Sequence, residues 1–310
     1  MSVTPHPSVY GAPSQEWRDA AGLHVRLLGG FSVRLAGFEV PEGAFARRKS
    51  KSLLKFLALQ PGHRLHREQV TEALWPGLSP PGGAAQLYKA VHQVRRALRA
   101  AGTGPAPEDV LVLQDQELRL EAPGGVSTDV EEFRRLGQRA LRGREGAELE
   151  RALAAYGGEL LPTDLYEEWT LEPREALREE AAALTLALGE VRLLAGELPG
   201  ALDAFHHTLR LDPLREAAHC GVMQVHARQG NRAALERQYR RCAEGLAQAL
   251  DATPAPETTR LYHRLLQGPP PAPRRPPAEP RTHRPRSPPG APPPPEGPGG
   301  SCPPRRGPAG

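Results

Sequence analysis

The spacing of apolar residues changes twice in the first 122 positions. From Leu23 to Val40, LHVRLLGGFSVRLAGFEV, apolar and polar residues alternate, broken by Gly29-Gly30 and Ala36-Gly37. A period of two with such breaks predicts short antiparallel strands joined by tight turns. The spacing then becomes helical. FARRKSKSLLKFLALQPG places Leu53, Leu54 and Leu57 on one side and stops at Pro61-Gly62, which predicts a helix over about 46 to 60. HREQVTEALWPG predicts a second helix over about 66 to 75, ended by Pro76. The link SPPGGAAQ is expected to break any continuation. QLYKAVHQVRRALRA then predicts a third helix over about 83 to 100, ending before Gly102. VLVLQDQELRLE, Val110 to Glu121, alternates again and predicts a two-stranded hairpin.

Strands, three helices and a hairpin, in that order, are the plan of a winged helix-turn-helix with an N-terminal sheet. From Ser127 onward the pattern is purely helical. STDVEEFRRLGQRAL opens with Ser127 or Thr128 as cap and acids in its first turn, which suits the helix dipole. Further helices are predicted near 145–157, 172–195, 199–211, 215–229, 231–250 and 256–267. AGELPGALDAF lines up with QGNRAALERQY at an offset of 34 residues, matching Gly196 with Gly230, Ala201 with Leu235 and Phe205 with Tyr239. That is the tetratricopeptide period, in which each helix pair buries its apolar side only against its neighbours. The fold class expected is multidomain and mainly α: a winged helix (α+β) over 22–122, then an all-α, tetratricopeptide-like domain over 127–267. Residues 1–21 and the Pro/Arg-rich tail 268–310 lack core-forming residues, and disorder is expected there.

Charge sharpens this division. The chain carries a net +4, but residues 45–100 hold 11 basic and 2 acidic residues, and residues 101–267 hold 19 basic and 28 acidic. A focused basic segment beside an acidic body is the electrostatic footprint of a nucleic-acid binder. The third helix makes the point residue by residue. Leu87, Val91, Val94 and Leu98 share one side and suit a core. Lys89 and Arg96 lie nearly opposite, flanked by His92, Gln93 and Arg99, and this side carries no Glu of its own. Such a face fits a DNA major groove, where Arg and Lys bond guanine acceptors and Gln pairs with adenine.

Other chemistry is thin. His63 with His66 and His206 with His207 are the only paired histidines, and neither pair has Cys or a carboxylate trio at metal spacing. His63 and His66 are expected to frame a short strand around Leu65. There is no nucleophile elbow and no Gly-rich phosphate loop, so no enzyme, cofactor or metal is expected. Cys220, Cys242 and Cys302 are far apart in sequence and form no CxxC, the usage of a reduced cytosol. No apolar run is long enough to span a bilayer, and the N-terminus has no signal pattern. Aromatic residues are 5% of the chain, too few for the stacking platforms of single-strand RNA recognition.

Seven strings in order, LHVRLLGGFSVRLAG, ARRKSKSLLKFLAL, LHREQVTEALWP, QVRRAL, VSTDVEEF, GELLPTDLYEEW and TRLYHRLL, resemble those of the Streptomyces antibiotic regulatory protein family. The resemblance covers about Leu23 to Leu266. It implies a response-regulator-type winged helix joined to a bacterial transcriptional activation domain. It implies a cytoplasmic, nucleoid-associated activator that binds promoter direct repeats in double-stranded DNA, as a homodimer on DNA. Recruitment of RNA polymerase holoenzyme and regulation of an antibiotic gene cluster are also implied. By the same resemblance the third helix is the recognition helix, with Lys89, His92, Gln93, Arg96 and Arg99 toward bases or phosphates. Arg47, Arg48 and Lys49 would touch phosphates. The link from Pro76 to Gly83 corresponds to the transactivation loop (Pro76, Gly77, Leu78, Ser79, Pro80), and Gln114 to Leu118 to the wing.

Two departures stand out: Gln93 where the family commonly has Arg, and a wing, QDQELRL, without the usual Gly turns and aromatic. No receiver domain, nucleotide-binding domain or GxxxxGK[ST] motif is seen. A second reading is a protein-interaction scaffold that keeps the helical repeats but has weakened DNA binding.

Overall fold

The computed structural model describes residues 22–102 and 104–267. The expectations for residues 1–21 and for the tail lie outside them. The N-terminal sheet comes from β1 (Leu23–Arg26), β2 (Ser32–Leu35) and β3 (Phe38–Glu39). β1 and β2 pair antiparallel, Leu23 opposite Leu35 and Val25 opposite Val33, so the alternation turns one apolar face inward. The turn into β3 uses Ala36 (φ 51°) and Gly37 (φ 83°), the two positive dihedrals a tight primed hairpin turn needs.

Helix α1 (Arg48–Leu59) buries Leu53, Leu54 and Leu57. β4 (Arg64–His66) follows, then α2 (Arg67–Leu74). His66 caps α2: its Nδ1 accepts the Glu68 N–H at 3.4 Å, and its own N–H is donated to the Gln69 side chain at 3.1 Å.

The third helix, α3 (Pro80–Arg99), starts three residues earlier than the sequence suggested. SPPGGAAQ does not break it. Pro80 and Pro81 occupy the first turn, where a missing N–H leaves no bond unmade, and their fixed φ favours the helix. Gly83 is buried against Thr71, where a Cβ would come within 3.3 Å of the Thr71 Cβ, so the glycine lets α3 close on α2. The connection between the helices is therefore Trp75–Ser79, and Pro80 is its first helical neighbour.

A one-turn helix, α4 (Pro107–Val110), leads into the hairpin of β5 (Leu111–Gln114) and β6 (Glu117–Leu120). β4 joins this hairpin to make a three-stranded sheet in the order β4-β6-β5. The following segment is not purely helical. β7 (Val126–Thr128) pairs parallel with β1 and closes the first sheet as β3-β2-β1-β7. Three residues are too few for an alternation signal, so the strand was invisible in the pattern. Thr128 then caps α5 (Asp129–Gly143) in a reciprocal box with Glu131.

α6 (Gly146–Ala155), α7 (Leu171–Leu194), α8 (Leu198–Leu211), α9 (Glu216–Arg228), α10 (Arg232–Leu250) and α11 (Pro256–Gln267) complete the helical domain. The 34-residue offset is structural. α8 and α10 each start two residues after a positive-φ glycine, Gly196 (81°) and Gly230 (70°). Ala201 and Leu235 are both buried, and so is Phe205, while Tyr239 is half-buried and stacks on Tyr262 at 4.0 Å.

One apolar core runs from the first sheet through α1–α3 into α5–α7. A smaller one surrounds Phe205 with Leu193, Ala201, Val222 and Val225. The join between the two halves is also polar. Lys55 of α1 meets Asp164 at 2.6 Å, both about 5% exposed, and its Nζ lies 4.6 Å from the Phe31 ring centroid. Asp129 accepts the Leu27 and Leu28 N–H groups, each at 2.8 Å. Phe56 packs edge-on against Trp169 at 5.4 Å.

Candidate nucleic-acid interface

α3 sits over α1 and α2 because its apolar stripe has partners there. Leu87, Ala90, Val91, Val94, Ala97 and Leu98 are buried. The opposite side bears exposed Lys89, His92, Arg96 and Arg99, with Gln93 half-buried. Arg47, the residue before α1, reaches the same side. It lines a shallow groove of about 410 Å³ with Tyr88, Lys89, His92 and Gln93. Arg96 is one turn beyond Gln93 and His92.

Three expected contacts are already engaged. Arg99 pairs with Glu108 of α4. Arg48 and Lys49 both meet Glu167, at 3.1 and 3.2 Å. Hence the absence of Glu from α3 itself does not leave every cation on the basic segment unpaired: carboxylates arrive from elsewhere in the chain. Among the described residues, no ion pair is formed by Arg47, Lys89 or Arg96.

Two residues escaped the sequence reading. Tyr88 is 56% exposed on the outward side of α3. Its spacing of four to His92 and eight to Arg96 was the available signal. Arg95, inside QVRR, points elsewhere: its Nε and Nη2 donate to the Leu111 carbonyl at 3.0 and 2.8 Å. It fastens the hairpin to α3. The hairpin turn is made by Asp115 (φ 49°) and Gln116 (φ 72°), so the primed turn forms without glycine. The Gln116 carbonyl accepts the Arg67 N–H at 2.7 Å, tying the turn to the start of α2.

Of the expected transactivation loop, Pro76, Gly77, Leu78 and Ser79 are exposed in the connection, and Pro80 is exposed at the start of α3. Leu78 projects with 49% of its surface open.

His63 and His66 serve structure, His66 as the cap of α2. His63 Nδ1 bonds the Ala58 carbonyl oxygen at 3.2 Å, and its Nε2 lies 3.3 Å from Glu131. Burial lowers the basicity of His206 and His207. Among the described residues no group of three His, Cys, Asp or Glu side chains is placed to hold a metal ion. No described helix is long and apolar enough to cross a membrane.

Comparison with known proteins adds to this geometry. Residues 128–266 match the family described as the bacterial transcriptional activator domain. Among curated proteins no match was found. A solved structure, Mycobacterium tuberculosis EmbR in complex with a low-affinity phosphopeptide, superposes with a TM-score of 0.66 at 24% identity. The match covers 80% of this chain and 66% of that one, so this chain spans about two thirds of its length. Residues 128–266 of this chain are thus similar to a bacterial transcriptional activator domain, and a winged helix precedes them.

Proposed function

We propose that the chain binds promoter DNA through α3 and activates transcription from it. The observation that carries this reading is the side of α3 that bears Lys89, His92 and Arg96 in the open, flanked by Arg47 and backed by a packed core. A helix of this width and chemistry enters a major groove, where cations bond guanine edges or phosphates. Lys89, His92, Gln93 and Arg96 contact bases or phosphates, and Arg47 contacts a flanking phosphate. Arg48, Lys49 and Arg99 stand at the margin of the interface because Glu167 and Glu108 hold them.

Protomers on direct repeats sit head to tail, with the acidic helical domain off the duplex. The exposed connection Pro76–Ser79, with Leu78 at its tip and Pro80 at its end, meets RNA polymerase. The regulated genes form a secondary-metabolite cluster, and the protein works in the cytoplasm at the nucleoid. Catalysis forms no part of this reading.

Footprinting on the promoters of the neighbouring genes, with a salt series and competitor DNA, tests it. Protection of two spaced direct repeats, with affinity falling as salt rises, is expected. Equal, weak binding to every fragment overturns sequence-specific activation and leaves the helical repeats as the working part.

A further inference from the structure

The activator domain places one carboxylate on the DNA-binding domain's basic segment. Glu167 lies in the turn between α6 and α7, 118 positions from Lys49. It takes Arg48 Nη2 at 3.1 Å and Lys49 Nζ at 3.2 Å, and it accepts the Trp169 Nε1–H at 3.1 Å. Its side chain is 11% exposed, while those of Arg48 and Lys49 are 63% and 40% exposed. The carboxylate is therefore sheltered and the cations are at the surface. The turn that carries it is braced. The Glu167 N–H donates to the Asp164 carbonyl, and the Glu167 carbonyl accepts both the N–H and the hydroxyl of Thr170. Asp164 in turn holds Lys55. Glu167 cannot follow the two cations if they swing away. Arg47, which directly precedes Arg48, already lines the groove beside Lys89 and His92.

We propose that Glu167 sets the DNA affinity of this protein by holding Arg48 and Lys49 back from the phosphate backbone. The inference rests on DNA binding through α3 and deepens it. A phosphate must displace a fixed carboxylate to gain either cation, so up to two phosphate contacts are withheld and fewer counterions are released. The activator domain thereby tunes the DNA-binding domain through direct side-chain contact, with no change of fold.

Glu167→Gln keeps the size and the acceptor for Trp169 and removes the charge. Glu172→Gln on α7 removes an exposed charge from the same domain and is the control. Binding of full-length wild type, E167Q and E172Q is measured on a footprinted promoter fragment across a salt series, with urea unfolding to confirm that each folds. E167Q is expected to bind several-fold tighter at low salt. Its slope of log affinity against log salt should be steeper by roughly one to two, at about 0.9 per phosphate. E172Q should match wild type. If E167Q and E172Q behave alike, Glu167 is an inter-domain staple only and the proposal falls. If wild type shows no salt-dependent binding, DNA binding itself falls, and the proposal with it.

Discussion

Lys55 and Asp164 form an ion pair at 2.6 Å with both side chains almost fully enclosed. One belongs to the first helix of the winged helix and the other to the turn before α7. A buried pair contributes little over an apolar substitute, but losing one partner strands a charge in the interior. Asp164→Asn should cost about 3–5 kcal/mol in urea unfolding. The double replacement of Lys55 by Met and Asp164 by Leu should recover a large part of that loss. A near-zero loss for Asp164→Asn would mean that water reaches the pair.

Asp129 predicts a pH dependence. Burial pushes its carboxyl up to about 6 from the ordinary 3.8, against the opposing pull of the Leu28 and Leu27 N–H groups. The folded state then binds this proton more readily than the unfolded chain does. The group favours folding below about pH 4, and that contribution fades as pH rises through about 6, by up to about 3 kcal/mol. Asp129→Asn should flatten the stability curve between pH 4 and 6, read as urea midpoints at each pH. An unchanged curve would place the titration elsewhere.

Phe205 fills space that two glycines vacate. A Cβ on Gly221 would stand 2.4 Å from the Phe205 ring, and one on Gly189 2.6 Å. Gly221→Ala should therefore destabilise the helical domain by about 1–3 kcal/mol through overpacking. Adding Phe205→Leu should relieve part of the clash. The readout is the thermal midpoint of the three variants.

On the DNA side the engaged and unengaged cations should separate. Lys89→Ala and Arg96→Ala should each weaken promoter binding and lower the salt slope by about one if they meet phosphates. Arg99→Ala should do less, because Glu108 already holds that guanidinium. Equal effects at all three positions would mean that the Glu108 pair opens on DNA.

Tyr88 should matter to the same surface. It keeps more than half of its area in water on a side otherwise cationic or amide-bearing. Tyr88→Ala should weaken promoter binding without lowering the unfolding midpoint, since the ring supports no core. A fall in stability with unchanged binding would place it outside the interface.

Periodicity made the helices legible. Apolar stripes such as Leu87–Val91–Val94–Leu98 leave few ways to pack, and the repeat emerged because Gly196 and Gly230 must both supply a positive φ. What stayed hidden were facts about distant partners. Nothing near Arg48 or Lys49 announces Glu167, and nothing near Arg99 announces its tie to α4. Pro80-Pro81 read as a breaker because proline opposes a helix everywhere except in its first turn, and the pattern did not reveal which turn this was. β7 needed the edge of β1 to become a strand at all. Arg95 and Arg96 are neighbours of one type, yet a 100° step sends one to the hairpin and the other to solvent.

The pairing of β1 with β7 has a consequence for how the protein is made. His24 meets Ser127 across 103 residues, and Lys55 waits 109 residues for its counter-charge. Until Val126 to Thr128 have left the ribosome, β1 has one margin open, and until Asp164 follows, Lys55 lacks its counter-charge. β7 closes the sheet first, and the ion pair follows once the turn before α7 is made. A fragment cut between Glu121 and Val126 would lack both partners. Its bare β1 margin would invite intermolecular strand pairing, so the winged helix depends on the segment behind it for a closed sheet.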